Sequence, residues 1–196
     1  SLDQQLADMA LEHGGLTRSD IDYVIIDDFS AMNSALANGT VDLAMNIEPQ
    51  ITQAEEAGIL KRFGDAAQDY APDFQIAEVL ASPSFVADKE LSQRFMLAYV
   101  KALRDYNRAF VERDSQALAE VITIMTKYTA LKDAALWEKV NVPGLNPDGR
   151  LNVQSLEEQL AWYQKNGYFS GTIDLDRVVD TSLTDYAVGV LGPYAH

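Results

Sequence analysis

Apolar positions recur along this chain in two rhythms, and the rhythm changes near residue 82. At the start, Leu2, Leu6, Met9 and Ala10 fall on one face of a helix, and Ser1 followed by Gln4 has the form of a capping box. Gly14-Gly15 supplies a left-handed stop. Tyr23-Val24-Ile25-Ile26 is a continuous apolar run, the pattern of a strand from Asp22 to Asp27 covered on both faces. Ser30 can cap a second helix through Ala37, closed by Asn38-Gly39. Val41 to Asn46 reads as a second strand, and Pro49 suits the first position of a helix over Gln50 to Ala57 that Gly58 ends. Ile59 to Phe63 predicts a third strand. Helix and strand alternating in this way predict a three-layer α/β/α lobe with a mainly parallel sheet.

Residues 64–73 are polar, contain Pro72 and read as a loop, after which Phe74 to Leu80 is extended and Ser82-Pro83-Ser84 breaks it. The period then becomes helical. Phe95, Tyr99, Leu103, Tyr106 and Phe110 predict one long helix from Asp88 to Glu112. Further helices are predicted over Ser115 to Tyr128, Asp133 to Lys139, from a cap at Asn152 to a stop at Asn166-Gly167, and over Val178 to Leu191. Val142 to Gly149 is dense in turn residues and reads as a loop. The expected organisation is an α/β lobe over 1–80 followed by a crossover and C-terminal helices over 81–196.

A chain of 196 residues that is 47% hydrophobic can bury a core. No apolar run reaches the roughly 18 residues of a membrane span. No charged-then-apolar leader opens the sequence, so it reads as a mature chain or a fragment. The absence of cysteine excludes disulfides and thiolate metal sites and fits an exported bacterial protein. A net charge of −15 argues against nucleic acid, whose phosphates need a basic face. Residues 1–60 hold eleven acids and a single base, Arg18, so a site there lies in a negative field favouring cationic or neutral polar ligands. The plain alternative is that this charge serves solubility.

Catalytic sets are wanting. His13 and His196 are the only histidines, and His13 beside Gly14-Gly15 reads as a cation at a helix C-terminus. No Gly-x-Ser-x-Gly, phosphate loop or His-x-x-x-His occurs, so neither metal nor cofactor is expected and the chain does not read as an enzyme. Glu55-Glu56 and Glu157-Glu158 are sequence neighbours on helices and diverge around the axis, which suits solvated faces and not paired acids.

Three ordered words carry a resemblance. LDQQLADMALEHGGLTRSDIDYVIID, AMNSALANGTVDLAMNIEPQITQAEEAG and VLASPSFVADKELSQRFMLAYVKALRDYN together resemble the NMT1/THI5-like solute-binding proteins of ABC transporters, the branch of thiamine-precursor, sulfonate and nitrate binders. The middle word is the most specific; its one departure is Ile47, where the family usually has an aromatic residue before Glu-Pro. The resemblance implies a type 2 periplasmic-binding fold, represented here by its second lobe and C-terminal helices, without the N-terminal segment of the first lobe. It implies capture of a small polar solute in an interlobe cleft, delivery to an ABC permease in the membrane, and a periplasmic or lipid-anchored extracytoplasmic location. A missing first lobe would leave apolar surface around Phe95, Tyr99 or Trp162 exposed, a face through which two copies could pair as a homodimer.

Within that reading six residues are candidate ligand contacts. Ser1 opens a helix whose N–H groups can hold an oxyanion or carbonyl, against simple capping. Asp28 could accept from an amine, Phe29 could stack on a ring, and Ser30 lies beside them at the end of the first strand, against capping and a core Phe. Asn46 and Glu48 end the second strand, where open α/β folds bind small molecules. Glu48 could accept from an amino-pyrimidine or ammonium group, against a role at its own helix N-terminus. The acidic surroundings favour a pyrimidine-like or amine-bearing solute. The rival expectation is an effector-binding domain of a transcription regulator with the same fold.

Overall fold

A computed structural model describes residues 1–195, so His196 lies outside the described residues. Eleven α-helices, a 3₁₀ turn and a π-helical turn account for the regular structure of those residues. The α/β expectation is overturned: no strand and no sheet is formed among the described residues. The three segments predicted as strands and the extended run over 74–80 are non-helical chain without a ladder, and each leaves an apolar side chain exposed. Ile25 is 68% exposed, Leu43 71%, Phe63 88% and Leu80 92%. An apolar run encodes a preference for burial, but a strand also needs a second backbone to take its N–H and C=O groups. Here none of these segments supplies that backbone to another.

The chain divides into two compact units. The first comprises Ser1–Phe74 with Leu131–Val142. Its first helix, α1 (Leu2–His13), begins in the expected capping box: the Ser1 hydroxyl accepts from the Gln4 N–H at 3.3 Å, and the Gln4 amide oxygen accepts from the Ser1 amine at 2.7 Å. Gly15, at φ +72°, turns the chain off the helix. Arg18 then clamps Asp8 through Nε at 2.5 Å and Nη2 at 2.8 Å. Helix α2 (Phe29–Ala37) starts one residue before the expected cap, because Asp28 takes that role and Ser30 falls inside the first turn. Helix α3 (Gln50–Glu56) has Pro49 as its cap. Residues expected to be loop form α4 (Ala66–Tyr70), capped by Asp65 and packed on α1, with His13 and Tyr70 rings 5.0 Å apart. In the second stretch of this unit, the short helix Ala134–Trp137 is capped by Asp133 and buries Trp137, whose indole N–H donates to the Leu131 carbonyl.

The second unit comprises Gln75–Ala130 and the described residues from Pro143 onward. Its axis is α6 (Lys89–Tyr106), preceded by the short α5 (Pro83–Ala87) and continued by a π-helical turn, Asn107–Val111. The predicted helix from Asp88 to Glu112 is thus continuous in space but changes its hydrogen-bond pitch at Asn107. That side chain is buried and donates to two carbonyls, Leu103 and Leu145, each at 2.9 Å. Around α6 pack α7 (Ser115–Tyr128) and the last helix, Ser182–Leu191, while Val153–Lys165 is held by the chain at Gln75. Val100, Leu103, Ala109, Phe110, Ala117, Ile122, Ala187 and Val188 form the core. Gly149, at φ +70°, lies so close that a Cβ there would meet Leu103 Cδ1 at 3.3 Å.

Candidate functional site

The segment that ends at Asn46 touches the start of α2, although no sheet joins them. Asn46 makes the junction. Its Nδ2 donates to the Phe29 carbonyl at 3.0 Å and to Asn33 Oδ1 at 2.8 Å, and its Oδ1 accepts from the Ile47 N–H at 2.8 Å. Asn33 Nδ2 in turn donates to the Gln50 carbonyl at 3.1 Å. The first turn of α2 and the start of α3 are therefore stitched through two asparagine amides. Sequence reasoning identified Asn46, Phe29 and the Glu48-Pro49 corner, but missed Asn33 and Gln50. Their signal was an amide side chain one helical turn into α2 and another at the first position of α3.

Asp28 and Ser30 form the outer edge of this junction. Asp28 Oδ1 accepts from the Ala31 N–H at 2.8 Å and, over a short contact, from the Ser30 hydroxyl. The Ser30 hydroxyl, followed by the Ala31 N–H, holds the Asp28 carboxyl below its ordinary value. Asp28 is exposed, so its charge faces solvent.

Glu48 is more engaged than its sequence position suggested. Its side chain is only 13% exposed, and both oxygens have partners. Oε2 accepts from the Thr52 N–H at 3.1 Å, and Oε1 accepts from Arg62 Nη2 at 2.7 Å. The same guanidinium reaches Glu55 Oε2 through Nη2 at 3.1 Å and Nε at 3.3 Å, while the Arg62 backbone N–H donates to Glu55 Oε1 at 2.9 Å. The Arg62 N–H is the main reason the Glu55 carboxyl lies below its ordinary value. Burial alone would lower Arg62, but the hydrogen bonds and charges of Glu48 and Glu55 outweigh it and raise it. Arg62 lies two residues beyond the stretch whose single base was Arg18, which is why charge counting passed over it. Its spacing of seven from Glu55, across Gly58, was the available signal.

Gln50 adds an acceptor: its Oε1 is buried and has no hydrogen-bond partner. A buried amide oxygen without a donor costs about 1–3 kcal/mol, and Gln5 Oε1 and Arg104 Nε, outside this junction, are in the same position. Ser1 takes no part in the junction, since its hydroxyl is spent on the α1 cap and no hydrogen bond links it to Asn46. Of the paired acids expected to face solvent, Glu55 is held by Arg62, whereas Glu56 pairs with Lys139 at the surface. Among the described residues no group of three or more His, Asp or Glu side chains is arranged to hold a metal ion.

A model of the NMT1/THI5-like family matches residues 1–108, which spans every residue of this junction. This chain belongs to the NMT1/THI5-like family. Membership brings a solute-binding role in transport, in a family generally of binding proteins rather than enzymes. A small-molecule ligand and a permease are the usual partners of its members, which are typically extracytoplasmic. No helix among the described residues is long and apolar enough to cross a membrane. No curated protein and no solved structure matches the NMT1/THI5-like chain described here.

Proposed function

We propose that this chain is the solute-binding component of an ABC importer, working outside the cytoplasm, and that it hands a small amine-bearing or pyrimidine-like molecule to a membrane permease. Asp28, Phe29, Ser30, Asn46 and Glu48 are the proposed contacts. The observation that carries this reading is the Asn46 bridge to the Phe29 carbonyl, which ties the segment before Glu48 to the residue after Asp28. Further support comes from the chemistry of the junction. Asp28 and Glu48 are acceptors when ionised, and the buried Gln50 Oε1 is an acceptor lacking a donor. Such a lining suits a ligand rich in N–H groups and repels a sulfonate or nitrate. Binding here is non-covalent, through charge-assisted hydrogen bonds from ligand nitrogen to carboxylate oxygen.

Isothermal titration and thermal-shift measurements with amino-pyrimidines, alkyl amines, sulfonates and nitrate test the assignment. A selective response to the N–H-bearing compounds is expected. A selective response to sulfonate or nitrate overturns it.

A further inference from the structure

Among the described residues Arg62 is the cation that donates to Glu48, and the two carboxylates hold it unequally. Glu55 grips it three ways, through the backbone N–H, Nε and Nη2. Glu48 receives one hydrogen bond from it, by Nη2 to Oε1, while its other oxygen stays on the Thr52 N–H. Loss of the Glu48 contact therefore leaves Arg62 anchored and charge-paired. A planar guanidinium presenting N–H groups to a carboxylate is also the same chemistry as an amidine or amino-pyrimidine presenting its N–H face.

We propose that Arg62 is an internal stand-in for the ligand and sets the specificity of the site: anchored by Glu55, it occupies Glu48 Oε1 until a solute with a planar N–H donor face replaces it there. This inference rests on the solute-binding reading above and deepens it. No covalent step is involved. One hydrogen bond to Glu48 is exchanged for another, and Glu55 keeps Arg62 neutralised. The triad of two carboxylates and one guanidinium carries one net negative charge, so an anion gains nothing by entering, whereas a neutral or cationic donor does. The Arg62 side chain is 28% exposed and that of Glu55 32%, which leaves the pair room to pull back toward solvent. Arg62 acts through Glu48 and is a positioning residue, with the affinity of the site as its readout.

The test titrates 2,4-diaminopyrimidine, with ethanesulfonate as control, into the wild-type chain and into Arg62→Gln and Glu55→Gln, each checked for folding by its melting curve. Arg62→Gln removes the competitor, and affinity for the diaminopyrimidine is expected to rise about fivefold, the scale of one part-exposed ion pair. Glu55→Gln releases Arg62 wholly to Glu48, and affinity is expected to fall by a similar factor. Opposite signs are the signature, since a merely structural Arg62 would make both variants bind more weakly. Should Arg62→Gln fail to fold, Arg62→Lys keeps the charge without the planar fork and is expected to bind at least twofold tighter. Wild-type binding that weakens in the Arg62 variants overturns the stand-in role alone. Absence of wild-type binding to the diaminopyrimidine overturns both this role and the ligand class proposed above.

Discussion

The unit that carries the candidate site and the unit built around α6 are held together by different means. In the α6 unit, side chains spaced three and four apart converge on a common interior: Val100, Ala109 and Ala187 are wholly buried and Phe110 nearly so. In the site unit the buried apolar residues are fewer, Leu6, Ala54, Ala71, Trp137 and Val140. Polar ties do more of the work there, among them Arg18 on Asp8, the Asn46 amide and the Glu48–Arg62–Glu55 triad. The contrast shows where apolar residues gain burial in this chain. The inner stripe of α6 finds it at Val100 and Leu103, whereas the expected strands leave Val24 and Ile25 exposed in one unit and the extended run before α6 leaves Val79 and Leu80 exposed in the other. A helix satisfies its own backbone and needs only one apolar stripe covered, whereas an extended run must find both a hydrogen-bonding neighbour and a cover.

The sharpest way to break this comparison is to truncate one phenylalanine in each unit. Phe110→Ala removes a buried ring and is expected to cost about 3–5 kcal/mol. Phe63→Ala removes an exposed one and is expected to change stability by no more than about 0.5 kcal/mol. Urea titrations followed by circular dichroism compare the two directly, and equal losses would dissolve the distinction.

The polar ties differ as well. In the α6 unit, Arg104 Nη2 donates to Asp148 Oδ1 at 2.7 Å and to the Gly192 carbonyl at 2.5 Å, and Asp148 also receives the Tyr194 N–H. Arg104 and Asp148 are each 16% exposed, so Asp148→Ala strands a mostly buried cation. A loss of about 2 kcal/mol is expected, less than for a fully buried pair because water still screens it. Asn46→Ala cuts ties in the more open site unit, and about 1 kcal/mol is expected in the same urea assay. Its larger signature is functional: losing the bridge between the two chain ends should weaken solute binding about tenfold, the effect of one well-placed polar contact. A variant that binds normally would show that Asn46 does not set the spacing of Asp28 and Glu48.

Acidification gives the smallest effect. The Ser30 hydroxyl and the Ala31 N–H hold the folded-state Asp28 carboxyl below its ordinary value of 3.8. Its contribution to the α2 cap is therefore fully present above that value and is lost as pH falls through the lower, folded-state one. Melting curves of wild type and Asp28→Asn are expected to differ at neutral pH and to converge only below pH 3.8. Convergence well above it would mean that the cap hydrogen bonds do not form.

Local signals in the residues predicted much of this molecule correctly. Ser1 with Gln4 encodes the start of α1, Asn152 encodes the cap of the Val153–Lys165 helix, and Ser115 to Tyr128 is helical as its spacing requires. Each of these is settled within a few residues, by a side chain reaching a neighbouring backbone group or by a stripe repeating every turn. Asn46 does meet the Phe29 carbonyl, but the parallel sheet expected to set the first two runs side by side does not form. The fate of those runs was not legible. Tyr23 to Ile26 and Val41 to Asn46 have the composition of buried strands, yet pairing depends on a partner backbone that composition does not name, and no ladder forms.

What the amino acids determined alone is thus most of the longer helices, some of their caps, the acidic character of the first sixty residues and, through ordered words along the chain, the family. Tertiary structure decided which polar groups meet: Arg62 with Glu48 and Glu55, Asn33 with Asn46 and Gln50, Asn107 with Leu145. The reason is one of range. Helical hydrogen bonds and caps close over three or four residues, whereas these contacts join side chains seven to thirty-eight positions apart, and only the folded path of the chain brings them within 3.5 Å.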